Sequence, residues 1–338
     1  MPTIQEVAKK AGVSPTTVSH VINNSRFVAD ETRLRVEAAM EDLHYRPNAL
    51  ARSLRRGQTH TLGLILPDSS NPFFAEIAHS IETVAFEQGY SVILCNTEDN
   101  LDKEDLYVDV LSNKQVDGMI FVAAGNQTGS LRALLRHKLP VVIVDRDLPE
   151  VEVDAVLTDN RRGGCLATQH LIALGHRRIG CITGPSHLTP SAQRVTGYRE
   201  ALIEAGLAVE DDLIVRGDFH PESGYRAARS LLDRPGAPTA IFACNDLMAV
   251  GVLRAVPELG RHVPDDLMVV GFDDIELASY TTPALTTVAQ PKVEMARQAV
   301  QMLTERMADK NRPLQRKVLQ PKLIIRGSAQ TIEQKSVH

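Results

Sequence analysis

The sequence predicts an α/β chain in which a small all-helical headpiece and a short hinge helix precede a two-lobed core of parallel sheets. Three observations favour this fold class. The first sixty residues show short helical patterns. After Thr61, apolar runs of five to eight residues alternate with amphipathic helical stretches, which is typical of parallel sheets covered on both faces. The length of 338 residues also exceeds one ordinary domain.

Two short helices separated by a tight turn are predicted within TIQEVAKKAGVSPTTVSHVINN. Thr3 and Glu6 form a capping box at the start of the first helix, and Gly12 suits its end because glycine tolerates a positive φ. Ser14 caps the second helix, with Pro15 at its first position. An ordinary helical hairpin explains less of this pattern than a helix-turn-helix, whose second helix reads base edges in the major groove. The polar residues left on the outer face of that helix are Thr16, Thr17 and His20.

A third helix is predicted to begin at Asp30, which we expect to cap it. Its apolar side chains should pack against Val18, Val21 and Ile22 of the second helix and close a small three-helix core. These side chains are Leu34, Val36, Ala39, Met40 and Leu43.

The stretch YRPNALARSLRRGQTH predicts a basic helix that begins at Pro47 and ends at Gly57. About ten residues are too few for a stable isolated helix. We therefore expect this hinge to fold on DNA, with Leu54 wedged between base pairs from the minor groove. A solvated linker is the alternative, and the position directly after a helix-turn-helix favours the hinge. The residues predicted to contact DNA are Thr16, Thr17, His20, Asn48, Ala51, Arg52, Leu54 and Arg55.

The predicted boundaries are 1–45 for the headpiece, 46–58 for the hinge helix and 59–338 for the core. Within the core, one lobe spans about 60–160 plus 290–320, and the other about 161–288 plus 321–330. The chain would then cross between the lobes three times, near Asp159, Gln290 and Gln320.

Charge is distributed unevenly along the chain. Residues 1–60 hold nine Lys and Arg against six Asp and Glu, a net charge of +3, whereas the whole chain carries −5, which leaves −8 for the rest. A basic end on an acidic body directs one face to phosphate.

The four Cys are far apart and form no C-x-x-C pair, so we expect buried thiols in a reducing compartment, with no metal and no cofactor. The sequence shows neither a secretory signal before the headpiece nor an apolar run of membrane length, so we expect a cytoplasmic protein without a membrane partner.

Polar and aromatic side chains follow the predicted strands of the core. Ligands of open parallel sheets bind beyond the carboxyl ends of the strands. Carboxylates, amides, guanidinium groups and phenyl rings at such ends suit a sugar, which offers flat C–H surfaces and adjacent hydroxyls. Single residues of this set could equally cap helices or fill the core; the combination favours a ligand cleft. The set comprises Asn71, Phe73, Phe74, Asp145, Arg146, Arg194, Phe219, Asn245, Asp273 and Gln290.

The chain resembles the LacI family of transcriptional regulators along essentially all of its length. The motifs that carry this resemblance include VAKKAGVSPTTVSHVIN, YRPNALARSL, GHRRIGCITGP and PALTTVAQP. The resemblance implies a core like the periplasmic sugar-binding proteins, a homodimer, and a palindromic double-stranded operator. The cleft set matches the pattern of ribose-binding proteins residue by residue, which implies D-ribose or a close pentose as an inducer that releases a repressor of pentose catabolism genes. The ribose and purine branches of the family are the most similar, so a purine base acting as corepressor is the alternative.

Two further classes of function are weaker. Paired carboxylates could hydrolyse a glycoside, but the sequence carries no nucleophile elbow, Walker loop or H-E-x-x-H motif. We also expect Arg146 and Arg194 to keep Asp145 and Asp273 ionised, which a general acid would not be. A sugar-transport protein does not explain the headpiece. The sequence therefore predicts a regulator and not an enzyme.

Overall fold

The computed structural model describes residues 2–45, 58–125 and 127–330. Contacts divide the chain into two compact units, Met1–Thr59 and His60–His338. The predicted hinge, apart from its last residue, lies outside the described residues. So do the predicted DNA-contacting residues that it holds, namely Asn48, Ala51, Arg52, Leu54 and Arg55.

Three helices form the described part of the first unit: α1 (Ile4–Ala11), α2 (Pro15–Asn23) and α3 (Asp30–Asp42). The capping box is confirmed, because the Thr3 side chain accepts from the Glu6 backbone and the Glu6 carboxylate accepts from the Thr3 backbone. Gly12 ends α1 in the left-handed region with φ of 69°. Ser14 caps α2 by accepting a hydrogen bond from the Thr17 backbone N–H at 3.1 Å.

Two predictions for α3, one on its cap and one on its buried face, are wrong. Asp30 is the first helical residue, and Ala29 precedes it without a side-chain cap, so the expectation that Asp30 caps the helix is wrong. Leu34 is 65% exposed, whereas Val36 is fully buried. Residues two apart on a helix point about 200° away from each other. Burying Val36 and Ala39 against α1 and α2 therefore turns Leu34 towards solvent.

The first lobe of the second unit contains a six-stranded parallel sheet in the order β11-β5-β4-β3-β1-β2. Apolar side chains fill its central strands on both faces, because helices cover both sides. Its strands are β1 (Thr61–Leu66), β2 (Ser91–Asn96), β3 (Gly118–Phe121), β4 (Val141–Val144), β5 (Asp154–Thr158) and β11 (Arg316–Leu319). Its helices are α4 (Pro72–Glu87), α5 (Leu101–Asn113), α6 (Gly129–Arg136) and α11 (Lys292–Ala308).

The second lobe repeats this plan with a six-stranded sheet in the order β12-β10-β9-β8-β6-β7. Its pairs are parallel except for β10 and β12, which run antiparallel. The strands are β6 (Ile179–Thr183), β7 (Ile214–Arg216), β8 (Ala240–Ala243), β9 (Met268–Asp273), β10 (Thr286–Ala289) and β12 (Lys322–Ile324). The helices are α7 (Asn160–Ala173), α8 (Thr189–Glu204), α9 (Pro221–Leu232) and α10 (Asp246–Glu258).

The chain passes between the two sheets after β5, after β10 and after β11. A buried ion pair fixes the return of α11 to the first lobe. Arg306 contacts both carboxylate oxygens of Asp154, at 2.9 and 3.2 Å, and Asp154 is fully buried at the start of β5. These crossings complete both sheets, and the carboxyl ends of their strands lie at the cleft between the lobes.

Helices α7 and α8 approach each other closely through two glycines. A Cβ at Gly164 would overlap the carbonyl oxygen of Arg194, and a Cβ at Gly197 would overlap that of Arg161. The absence of a side chain at each glycine therefore allows the backbone of the opposite helix to approach this closely. The contact at Gly164 sets the position of the α8 turn that carries Arg194.

We expect Gly197→Ala to lower the free energy of unfolding by about 1–3 kcal/mol, because the new methyl group forces α7 and α8 apart. Gly129→Ala in α6 is the matched control: it is also a helical glycine, but a Cβ there meets nothing within 4 Å. That variant should be neutral or slightly stabilising. Urea unfolding of both variants measures the difference. Equal effects would show that the two helices have room to separate.

Candidate DNA-reading helix and effector cavity

The outer face of α2 presents the three residues predicted to read bases. Thr16 is exposed, and Thr17 and His20 are half-buried. The Thr17 hydroxyl lies 2.9 Å from that of Ser14, and His20 Nδ1 lies 2.9 Å from the Ser25 hydroxyl. Since Nδ1 has this partner, Nε2 is the ring nitrogen left to face a ligand. One turn of helix thus offers a hydroxyl, a methyl group and an imidazole edge, and the role of these groups in base reading stays a prediction.

The cleft between the two lobes holds a cavity that encloses about 340 Å³ of empty space, part of it open to solvent. Nine of the ten predicted cleft residues line it, together with Leu188 and Pro190. Gln290 is the exception: it does not line the cavity, and its amide donates a hydrogen bond to Asp273, which does. Those nine lining residues are Asn71, Phe73, Phe74, Asp145, Arg146, Arg194, Phe219, Asn245 and Asp273.

Three phenyl rings supply the apolar walls. Phe73 and Phe74, at the start of α4, form an edge-to-face pair with ring centroids 5.1 Å apart. Asn71 caps this helix by accepting from the Phe73 backbone N–H at 3.1 Å, so its oxygen is committed and its amide nitrogen is the group left for a ligand. Phe219 enters from the second lobe with φ of 71°. Its ring lies directly on Gly184, where any Cβ would overlap it.

Arg194 connects several elements around the cavity. Its Nε donates to Asn160 Oδ1 at 2.8 Å, and its Nη1 donates to the Cys244 carbonyl at 2.6 Å. Nη1 also lies 3.5 Å from Asp273 Oδ1. The guanidinium Cζ stacks 3.7 Å from the centroid of the Phe272 ring. These contacts fix the guanidinium plane, as recognition of paired oxygens requires.

Both cavity carboxylates have a raised pKa. Burial raises the pKa of Asp273 to about 6, although Arg194 and the Gln290 hydrogen bond oppose the rise. Burial also raises the pKa of Asp145 against the opposing charges of Arg194 and Arg146. A pKa of about 6 still leaves Asp273 largely ionised at neutral pH, as expected from the arginines. The sequence did not predict the raised pKa of the two carboxyl groups, which arises because complete burial removes more hydration than the arginines replace.

Arg146 is tied to its own lobe more than to the cavity. Its Nη1 donates to Asp99 Oδ1 and to the carbonyls of Ala123 and Ala124, at 2.8, 2.7 and 2.9 Å. Its Cζ lies 5.7 Å from the Phe74 ring centroid. Glu104, which is fully buried, accepts from the Ala124 backbone N–H at 2.6 Å and holds this loop. The remaining guanidinium nitrogens are the part of Arg146 that a ligand could use.

The two predicted amides also have structural partners. Asn245 caps α10 by accepting from the Met248 backbone N–H at 2.9 Å, and its Nδ2 donates to the Phe219 carbonyl at 2.9 Å. The Gln290 Nε2 donates to Asp273 Oδ1 at 2.8 Å. Two buried oxygens in this region lack a hydrogen-bond partner, namely Asp145 Oδ1 and Gln290 Oε1. A ligand or water that donates hydrogen bonds would satisfy them.

Sequence reasoning missed several residues that shape the site. Leu188, which precedes α8, and Pro190, in its first turn, line the cavity, and their only sequence signal was their position after β6. Asp246 is fully buried below Asp273, where it accepts from Thr287 Oγ1 at 2.5 Å and from the Ile275 backbone N–H at 2.9 Å. Burial and the Asp273 charge raise its pKa well above the ordinary value. The pairing of β9 with β8 and with β10 brings these groups together.

Among the described residues, no group of three or more His, Cys, Asp or Glu side chains is arranged to hold a metal ion. All four cysteines are free and buried, as predicted. Within the same residues, every helix is too short or too polar to cross a membrane.

A helix-turn-helix unit joined to a two-lobed core with a cavity between the lobes defines a ligand-responsive DNA-binding regulator. Residues 3–48 match the model for bacterial regulatory proteins of the lacI family, and residues 168–329 match that for a periplasmic binding protein-like domain. The chain belongs to the LacI family and is a DNA-binding transcriptional repressor.

Two curated relatives match almost the whole chain. The ribose operon repressor of Escherichia coli (strain K12) is 44% identical over 330 residues, which cover 97% of this chain and 100% of that protein. The HTH-type transcriptional repressor PurR of Photobacterium profundum is 42% identical over 333 residues, which cover 98% of this chain and 100% of that protein. Both relatives are thus repressors.

Solved structures of the same family share the architecture. The lac repressor dimer bound to operator and the anti-inducer ONPF has a TM-score of 0.88 at 28% identity, covering 98% of this chain and 99% of that one. A LacI family regulator from Enterococcus faecium with bound ribose has a TM-score of 0.73 at 31% identity, covering 80% of this chain and 98% of that one.

The raised pKa of Asp273 predicts a pH-dependent effect of Asp273→Asn. The folded protein holds this proton more tightly than the unfolded chain, whose carboxyl titrates near 3.8. The protonated Asp273 carboxyl therefore stabilises the wild type at low pH, and this contribution to the free energy of unfolding is lost as the pH rises through about 6. An Asn side chain does not ionise, so the variant has no such loss. The variant should match the wild type near pH 4 and gain up to about 3 kcal/mol relative to it by pH 7.

Urea unfolding of both proteins between pH 4 and pH 7.5 measures this difference. Asn keeps the oxygen that accepts from Gln290, so the comparison isolates the charge. A difference in unfolding free energy that stays constant across this range would show that Asp273 ionises as it does in the unfolded chain.

Proposed function

We propose that this repressor responds to D-ribose or a close pentose, which binds between the lobes and releases the protein from its operator. The observation that carries the proposal is the pairing of three phenyl walls with Asp145 Oδ1, a buried acceptor oxygen of the cavity that lacks a donor. Sugar hydroxyls supply such donors, and phenyl faces suit the C–H surface of a sugar ring. The ribose bound to the Enterococcus faecium regulator and the similarity to the ribose operon repressor support this assignment.

In this proposal, Asp145 and Asp273 accept hydrogen bonds from sugar hydroxyl groups, and Arg194 donates hydrogen bonds to ring or hydroxyl oxygens. Arg146 assists through its remaining nitrogens, and the amides Asn71, Asn245 and Gln290 complete the polar set. Phe73, Phe74 and Phe219 enclose the ring. Removing Asp145 or Arg194 should be most damaging, because the partner left behind is a buried charge without compensation.

A purine base acting as corepressor is the second candidate. PurR relatives are 41–43% identical to this chain, and a planar base could stack on the same phenyl rings. Leu188 and Pro190 weigh against it, because a base edge needs hydrogen-bond partners and these side chains offer none.

We further propose that the repressor acts as a homodimer on a palindromic operator, as the solved lac repressor dimer binds its operator. The segment 46–58 would form hinge helices that pair in the minor groove, with Asn48, Ala51, Arg52, Leu54 and Arg55 at the DNA. Effector binding would draw the lobes together and weaken this pairing. Linkage then requires that operator DNA weakens sugar binding by the same factor.

Operator titration with and without millimolar D-ribose tests the proposal. Ribose should weaken operator binding by roughly 5- to 150-fold, the usual range for coupled sites. Asp145→Asn should stay bound to the operator at the same ribose concentration, because it lacks the buried carboxylate. Indifference to ribose combined with tighter operator binding in hypoxanthine or guanine would replace the pentose with a purine corepressor.

Base reading by α2 is tested with His20→Ala. We expect this variant to lose roughly 1–3 kcal/mol of operator binding and to discriminate less at one base pair of each half-site. Ala38→Ser, on the exposed face of α3, is the control and should bind as the wild type does. Competition binding with a set of operators mutated one base pair at a time measures both effects. Unchanged preference in His20→Ala would remove this residue from the reading surface.

A further inference from the structure

One carboxylate outside the cavity wall joins the two lobes. Glu76 belongs to α4 of the first lobe. Its Oε1 accepts from the backbone N–H of Glu276 in the second lobe at 2.9 Å. Its Oε2 lies 2.6 Å from the Lys292 ammonium. Both oxygens of this side chain are therefore engaged at the boundary between the lobes.

Lys292 continues this connection from the start of α11, which packs on the first lobe. Its Nζ donates to the carbonyls of Asp273 and Asp274, at 3.2 and 2.5 Å. These two residues have φ of 112° and 52°, in the left-handed region that non-glycine residues rarely adopt. The ammonium thus holds an unfavourable backbone turn whose first residue is the cavity carboxylate Asp273.

This arrangement differs from an ordinary surface ion pair. The Lys292 side chain is only 14% exposed and the Glu76 side chain 31%. Together they contact the backbone of Asp273, Asp274 and Glu276 in the second lobe. Exposed pairs contribute little because water competes for both partners. Removing Lys292 here would leave two carbonyls and a carboxylate without their cation.

We infer that Glu76, Lys292 and the backbone of residues 273–276 form an interlobe clamp that positions Asp273 for the effector and favours the closed arrangement of the lobes. Glu76 and Lys292 are positioning residues, since they act through Asp273 and the lobe boundary. The inference rests on the proposed function only in requiring an effector between the lobes, and it holds for a sugar or a purine.

The expected effect follows from the population of the binding-competent form. When fewer molecules have closed lobes and a correctly turned Asp273, apparent effector affinity falls by the same fraction. We expect about 10-fold weaker D-ribose binding in Lys292→Met and in Glu76→Ala, within the usual range for coupled sites. Lys292→Arg should recover part of the affinity. Glu76→Gln should fall between Glu76→Ala and the wild type, because it keeps an acceptor for the Glu276 N–H.

Two matched controls lie on the same helices. Arg297→Met removes the cation of an exposed pair with Glu294 on α11, where the partners are 2.6 Å apart within one helix. Glu82→Ala removes an exposed acid from α4. Both should bind D-ribose within about twofold of the wild type, since neither touches the second lobe.

The experiment combines isothermal titration of the full-length protein with hydrogen exchange of the ligand-free protein, followed by mass spectrometry. Weaker binding in both clamp variants, with faster exchange of the peptide containing Glu276 in Glu76→Ala, supports the clamp. Wild-type affinity in Lys292→Met and Glu76→Ala overturns it. If the wild type binds hypoxanthine and not D-ribose, the same titration is run with hypoxanthine, and the pentose assignment fails while the clamp is still tested. If neither binds, the proposed function fails, and unchanged exchange at Glu276 in Glu76→Ala would overturn the clamp independently.

Discussion

The buried guanidinium of Arg194 is the interaction on which the cavity depends. It connects α8 to Asn160 at the start of α7, to the carbonyl of Cys244 after β8, and to Asp273 after β9. Stacking on Phe272 fixes its plane. Because Gly164 touches the Arg194 backbone, the packing of two helices sets where this charge lies. A cation so placed allows two carboxylates to be buried at one cleft, where unpaired charges would otherwise be costly.

The balance of buried charge suits reversible recognition of a neutral polar ligand. Burial raises the pKa of Asp145 and Asp273 despite the opposing charge of Arg194, and Asp145 Oδ1 has no hydrogen-bond donor, so the cavity is short of donors. A ligand with several hydroxyl groups reduces this deficit without bringing a charge of its own. The same deficit makes such a site sensitive to a single missing donor.

Contacts at the lobe boundary connect recognition to closure. The carboxylate of Asp273 faces the cavity, while its carbonyl accepts from Lys292, which is paired with Glu76 of the other lobe. An effector that engages Asp273 therefore acts on a residue already held by the interlobe clamp. Differential stabilisation of one lobe arrangement is what a ligand needs in order to shift the population of a regulator.

The sequence alone determined the fold class, the helix-turn-helix and nine of the eleven residues that line the cavity. Caps, turns and apolar periods are local signals, so Thr3, Gly12, Ser14 and the strand runs could be read directly. The rule that ligands lie beyond strand ends selected nine residues that now line one cavity. Only the tertiary structure decided how those residues are used. The commitment of Asn245 and Arg146 to structural partners, the raised pKa values of the cavity carboxylates, and the exposure of Leu34 depend on contacts between segments distant in sequence. Burial and pairing across such distances are properties of the packed chain, and no local pattern encodes them.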